Sequence, residues 1–214
     1  MAIIPAEEKV FMVSNSTNTT YSGSAALKAM QQWYTMEDVT NTVRPYQVFT
    51  ALLTQTGGED FQAISSGELI IGVTYKIDVN SGNADFTNVG APNNLENTYF
   101  IATGITPNSW GDGGFVELIY NTGAPVATVL ENTIGNIWFT YNDTGNYFCN
   151  SIELFTTSKT FGLITPNTNF TNTPFFSIEI GAGDTSFIQI LTSDNGTFSD
   201  DLLFNTPIEI RVYN

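Results

Sequence analysis

Apolar and polar residues alternate with a period of two through much of the chain. Val73, Tyr75 and Ile77 alternate with Thr74, Lys76 and Asp78, and Ile208, Ile210 and Val212 alternate with Glu209, Arg211 and Tyr213. Successive side chains on a strand point to opposite faces, so each run predicts a strand with one face on a core. Runs rich in β-branched and aromatic residues predict further strands at 9–13, 46–55, 99–104, 126–133, 137–141, 147–149, 160–164, 175–180 and 186–191. Leu69, Ile70 and Ile71 add a short apolar run ahead of Val73. Turn residues separate these runs, notably Gly57-Gly58, the segment 142–146 and Asp194-Asn195-Gly196. Only 24–34 reads as a helix: Ser24 is a cap, and Leu27, Met30 and Tyr34 share a face that Trp33 extends.

Short strands at nearly even spacing predict an all-β fold, an antiparallel β-sandwich of Greek-key or jelly-roll-like type. The segments 46–55 and 123–133 read as two halves of one pattern, interrupted between them. Three regions follow: an N-terminal arm with the short helix (1–45), a main sandwich (46–56 plus 121–214), and a small nested β-domain (57–120). A long insertion at a hairpin tip is tolerated because loop-closure entropy grows slowly with length.

Within the insertion, three groups of residues stand in register: Gly72-x-Thr74-Tyr75-x-Ile77, Asp85-Phe86-Thr87-x-x-Gly90-Ala91-x-x-Asn94, and Phe100-x-Ala102-Thr103-Gly104. This pattern, within the stretch Gly67 to Gly114, resembles a module that recurs in structural proteins of tailed bacteriophages. The two halves flanking the insertion are also similar to a pattern that runs almost continuously in many phage and phage-derived proteins. The resemblance implies a virion component, a head-fibre, capsid-decoration or tail-fibre-like β-protein.

Composition agrees with a β-protein whose exterior is uncharged-polar. Of 214 residues, 42% are hydrophobic, with 16 Phe and 9 Tyr, and only 13% are charged. Six basic residues against 21 acidic give a net charge of -15, so no basic patch is at hand for phosphates and nucleic acid is excluded as a partner. Cys149 is the sole cysteine, which rules out an intrachain disulfide and reads as a small buried hydrophobe on a strand. Met1 to Pro5 is too short an apolar run for a signal peptide, and no run has the length of a membrane span. The expected setting is therefore a cytosol without export, which the phage resemblance narrows to a bacterial cytoplasm and a virion. Asn-x-Ser/Thr triplets such as those at Asn15, Asn142 and Asn195 are expected by chance in so Asn- and Thr-rich a chain.

The absence of histidine removes Ser-His-Asp and Cys-His catalysis and every His-based metal site. Phosphate-loop, dinucleotide-binding and nucleophile-elbow signatures are missing as well. Two carboxylate pairs, Asp60 with Asp112 and Asp200 with Asp201, are the candidates for glycoside hydrolysis, and the plainer reading is solvated turn acids. The segment Asp194 to Asp201 offers hard oxygen ligands for calcium without EF-hand spacing. Trp110, in a Gly/Asp loop, is the candidate contact for a sugar, against the alternative of a tryptophan covering the end of a sheet. The expectation is a non-enzymatic protein with no cofactor, no metal and no membrane contact. Its partners would be copies of itself, as a homo-oligomer, and other virion proteins. The second reading is a tail-fibre or adhesion module that binds host-surface glycan.

Overall fold

A computed structural model describes residues 44–165, 174–180 and 184–214, together with the backbone of two short strands, β1 (Val10–Phe11) and β2 (Tyr21–Ser22). The chain forms two compact units, Met1–Arg44 and Pro45–Asn214. In the first, β1 and β2 pair antiparallel. The helix expected at 24–34 lies outside the described residues.

The described residues of the second unit form thirteen strands: β3 (Tyr46–Thr54), β4 (Phe61–Ile64), β5 (Thr74–Asn80), β6 (Tyr99–Ile101), β7 (Val116–Asn121), β8 (Val126–Asn132), β9 (Trp138–Asp143), β10 (Asn146–Asn150), β11 (Thr160–Ile164), β12 (Pro174–Ile180), β13 (Phe187–Asp194), β14 (Thr197–Phe198) and β15 (Thr206–Tyr213). One sheet has the order β11-β15-β3-β8, and another has β12-β13-β10-β9 with β14 beside β13; all their pairings are antiparallel. Both sheets bury alternate residues in one core. Phe49, Leu53, Ile208 and Ile210 come from the first and Phe139, Tyr147, Cys149, Ile188 and Ile190 from the second. The rings of Phe49 and Phe139 meet across it at 5.9 Å. Burying such a side chain contributes roughly 1.5–3 kcal/mol, so the shared core holds the layers together. The protein is thus an antiparallel β-sandwich, and β15 alternates as its sequence predicts, with Ile208, Ile210 and Val212 inward.

Residues between β3 and β8 form a separate antiparallel sheet, β4-β7-β5-β6, while β3 and β8 themselves pair directly. This smaller sheet has its own core of Tyr75, Ile77, Phe86, Val89, Phe100 and Leu118. In the run Leu69-Ile70-Ile71, Leu69 anchors the core, while Ile70 and Ile71 are each 56% exposed in the turn that leads into β5. The Asp-Phe-Thr segment makes a 3-10 turn at Thr87–Val89, with a lone bridge from Asp85 to Ser109.

The inserted sheet is seated on the open side of the sandwich. Ala127 on β8 donates its backbone N–H to Gly72 O at 2.9 Å, and Phe139 N on β9 donates to Thr74 Oγ1 at 3.0 Å. Ile101 on β6 is buried in the sandwich core. Thr74 is consequently buried although its position alternates with the core-facing residues of its strand. On the opposite side of the sandwich Ile178 of β12 lies directly over Gly162 of β11, closing the two sheets against each other.

Candidate functional site: an aromatic seam

Seating the small sheet brings together side chains from four distant strands. Tyr99 sits opposite Lys76 on β5, and its carbonyl accepts from Asn136 Nδ2 at 3.0 Å, which fixes β6 against the turn before β9. Its ring then stacks on Trp138, with centroids 5.5 Å apart and planes 12° from parallel. Beside this stack is a cleft of about 120 Å³ walled by Phe61, Tyr99, Tyr120 and Tyr141 and floored by Thr74 and Lys76. The Lys76 ammonium bonds Asp78 at 2.8 Å, which raises its pKa above the ordinary lysine value. That pairing leaves the cleft close to electrically neutral.

From Trp138 the strip continues over the outer face of the β12-β13-β10-β9 sheet. Phe139, Cys149 and Ile188 point inward, so their neighbours Trp138, Asn150 and Phe187 form one outward row. Thr140, Phe148 and Gln189 form the next. Phe148 and Phe187 lie 4.3 Å apart by ring centroid. Amides sit between the rings. Asn150 Nδ2 is held by Thr140 Oγ1 at 3.0 Å and by the carbonyls of Trp138 and Phe148, and Gln189 Nε2 donates to Asn146 Oδ1 at 2.9 Å. All four aromatic side chains are half-buried, so their orientations are held by packing. A larger hollow of about 310 Å³, lined by Gly90, Pro92, Thr103, Val129 and Asn136, carries no ring.

Trp110, the residue singled out from sequence, lies elsewhere, in the inserted module. Its indole N–H donates to Gly67 O at 2.9 Å, and its ring meets the buried Phe86 edge-on at 5.3 Å. Half-buried in this way, it covers the module's own core.

The acidic candidates are occupied by local bonds. Asp200 accepts from the Tyr141 hydroxyl (2.9 Å), the Tyr147 hydroxyl (2.9 Å) and Gly145 N (2.8 Å), and Asp201 Oδ1 accepts from Gly57 N at 2.7 Å. The single Tyr147 proton also faces Gln55 Oε1 at 2.9 Å, and the charged carboxylate is the stronger acceptor. Burial, and then the Asp200 contact, push the Tyr147 pKa far above the ordinary phenol value. Asp60 accepts from Gln62, and Asp112 is an exposed residue of the loop whose N–H meets Gly82 O. Asp194 and Asn195 belong to the tight turn that joins β13 to β14. Among the described residues no three acidic or thiol groups converge on one point.

One further carboxylate, which sequence reading left in the module motif, is bonded more heavily than Asp200. Asp85 accepts from the Thr87 hydroxyl (2.6 Å), Thr87 N (3.0 Å), Asn108 Nδ2 (2.9 Å) and Asn94 Nδ2 (3.1 Å), while Asn94 Oδ1 takes Phe86 N at 2.9 Å. These donors, the Thr87 hydroxyl foremost, hold its pKa well below the usual carboxylate range. Its role is to fold the turn. The aromatic seam had no sequence signal beyond the abundance of rings, because its members are contributed by β6, β9, β10 and β13.

Comparison with protein-family models, with curated proteins and with solved structures finds no match. Among the described residues no helix is long and apolar enough to cross a membrane.

Proposed function

We propose that the chain is a non-enzymatic structural subunit of a tailed-phage virion. It serves as a capsid decoration, a head fibre or a related fibre component, and assembles with copies of itself and with neighbouring virion proteins. The observation that carries this reading is the state of the sheet edges. The inserted module meets β8 at Ala127 and β9 at Phe139, leaving Thr128, Val129 and Leu130 of β8 exposed, and β11 and β12 close on each other. Strand β4 pairs with β7 on one side only, with Phe61, Gln62 and Ala63 exposed and Phe61 at 62%. An exposed strand edge carrying a large apolar side chain is a template for adding another chain, and soluble proteins ordinarily blunt such edges.

The resemblance in the module adds support, because its residues are the ones the local structure needs. A Cβ on Gly90 would run into Ile101 O, and this residue has φ 112°, a conformation that glycine adopts at least cost. Asp85, Thr87 and Asn94 tie the following turn. Tyr75 closes the preceding one, with its hydroxyl accepting from Ile70 N at 3.0 Å.

The test is mass spectrometry of purified particles of the phage that encodes the chain, followed by cryo-EM. The chain is expected as a stoichiometric component in symmetric copies. Its absence from particles that are otherwise complete would refute the reading.

A further inference from the structure

We infer that the aromatic seam, from the cleft at Tyr99 across Trp138 to Phe148 and Phe187, is a binding site for a neutral oligosaccharide. This is a binding function beyond assembly through β4; Phe61 of β4 also walls the cleft, so the two are told apart by Gln189→Ala, which leaves β4 untouched.

A pyranose has two kinds of surface. Its axial C–H groups form an apolar face with slight positive charge, and its hydroxyls form a polar rim. The first is attracted to the negative face of an aromatic ring, and the second needs donors and acceptors beside that ring. The seam supplies both, in alternation. Rings from Tyr99, Trp138, Phe148 and Phe187 are interleaved with the amides of Asn146, Asn150 and Gln189. The bonds within the sheet use Asn150 Nδ2, Gln189 Nε2 and Asn146 Oδ1, which orients Asn150 Oδ1, Gln189 Oε1 and Asn146 Nδ2 without consuming them. Polar groups held this way on strands lose little entropy when a ligand arrives.

Charge selects the class of sugar. The cation in the cleft is Lys76, and it is neutralised by Asp78. With -15 on the whole chain, sialylated or uronic-acid polymers are repelled at long range, whereas a neutral glycan feels no such field. A protein partner fits this strip less well than it fits β4. The rings here are half-buried and separated by amides, whereas Phe61 at the β4 edge is mostly exposed. The cleft beside Tyr99 ends the strip in a concave pocket suited to a terminal residue.

The experiment is a glycan array carrying glucans, galactans, N-acetylhexosamine oligomers and sialylated glycans. It is followed by calorimetry with the best neutral oligosaccharide, on the full chain and three variants. Binding to a neutral glycan is expected, weakened about tenfold or more by Phe148→Ala and by Gln189→Ala. Trp110→Ala is expected to bind like the native chain. Circular dichroism melts accompany each variant. Gln189 makes a surface bond to Asn146 only, so Gln189→Ala remains informative if Phe148→Ala fails to fold. Background binding by every glycan would overturn the inference. So would a preference for sialylated glycans, or affinity unchanged in a folded Gln189→Ala variant.

Discussion

The hydroxyl of Thr74 accepts the backbone N–H of Phe139 at 3.0 Å, and both residues are buried. It joins a strand of the inserted module to an edge strand of the sandwich across 65 residues of sequence. A buried donor left without an acceptor loses its full hydration energy, so Thr74→Val should cost about 1–3 kcal/mol despite its near-identical shape. Urea denaturation would measure the loss. Hydrogen exchange should show the Phe139 amide as the site of greatest lost protection. A cost near zero would mean that the module is not held at this point.

Gly72 tests the same seam by steric means. Its φ is 87°, and a Cβ there would stand 2.6 Å from Ala127 O, the backbone of the strand it bonds. Gly67 has a similar φ of 95° with nothing within 4 Å of a Cβ. Gly67→Ala should therefore cost about 1 kcal/mol, from backbone strain alone. Gly72→Ala adds displacement of the strand, and a total of about 3 kcal/mol or more is expected. Equal melting temperatures for the two variants would contradict the docking geometry.

The Tyr147 hydroxyl donates to Asp200 within a closed environment, whereas Tyr141 donates to the same carboxylate from a half-buried position. Tyr147→Phe should cost about 1.5–3 kcal/mol, the range for hydrogen bonds to charged groups, and Tyr141→Phe about 1 kcal/mol. The raised Tyr147 pKa also sets a pH response. The unfolded phenol ionises near pH 10 and the folded one well above it, so stability present below pH 10 falls as pH rises further. Tyr75, raised by burial, acts in the same sense. Ultraviolet titration should show Tyr147 silent until the chain unfolds.

Asp85 gives the opposite sign at the other end of the scale. Its donors favour the charged form, so its folded pKa lies below the unfolded value near 4. The stability it confers is complete above about pH 4 and is lost as pH falls toward the folded pKa. Asp85→Asn should melt below the native chain at neutral pH, and the gap should narrow between pH 5 and pH 2. Thermal melts across that range test it, and a gap independent of pH would assign the loss to shape instead of charge.

A charge placed on the open edge tests assembly. Phe61→Lys puts an ammonium on β4, a device by which proteins keep strand edges from pairing. Native mass spectrometry should show a smaller oligomer than the native chain forms, with the melting temperature nearly unchanged because Phe61 is exposed. An unaltered oligomer would place the contact elsewhere.

Much of the sandwich was legible from single strands. The stretch from Ile208 to Val212 alternates cleanly because one face is buried and the other is not. The hairpin of β9 and β10 was legible because its turn carries Thr144-Gly145 between two apolar runs. Strand β4 gave no such signal. Phe61, Gln62 and Ala63 are all exposed, and an edge with neither face buried has no reason to alternate. Ile70 and Ile71 read only as part of an apolar run, which beside a buried Leu69 looks the same whether it is strand or turn.

Sequence by itself determined the class of fold and the clean alternation of strands such as β15. Each depends on neighbours within a few residues, where period, turn residues and short-range bonds operate. Tertiary structure alone decided which rings share a surface. Tyr99, Trp138, Phe148 and Phe187 are spaced irregularly along the chain and become neighbours through strand pairing and the seating of the module. It also set Trp110 edge-on against Phe86 and tied Asp200 to two tyrosines. A residue's own alternation states which side it faces, whereas what stands on that side is set by chain that folds back from far away.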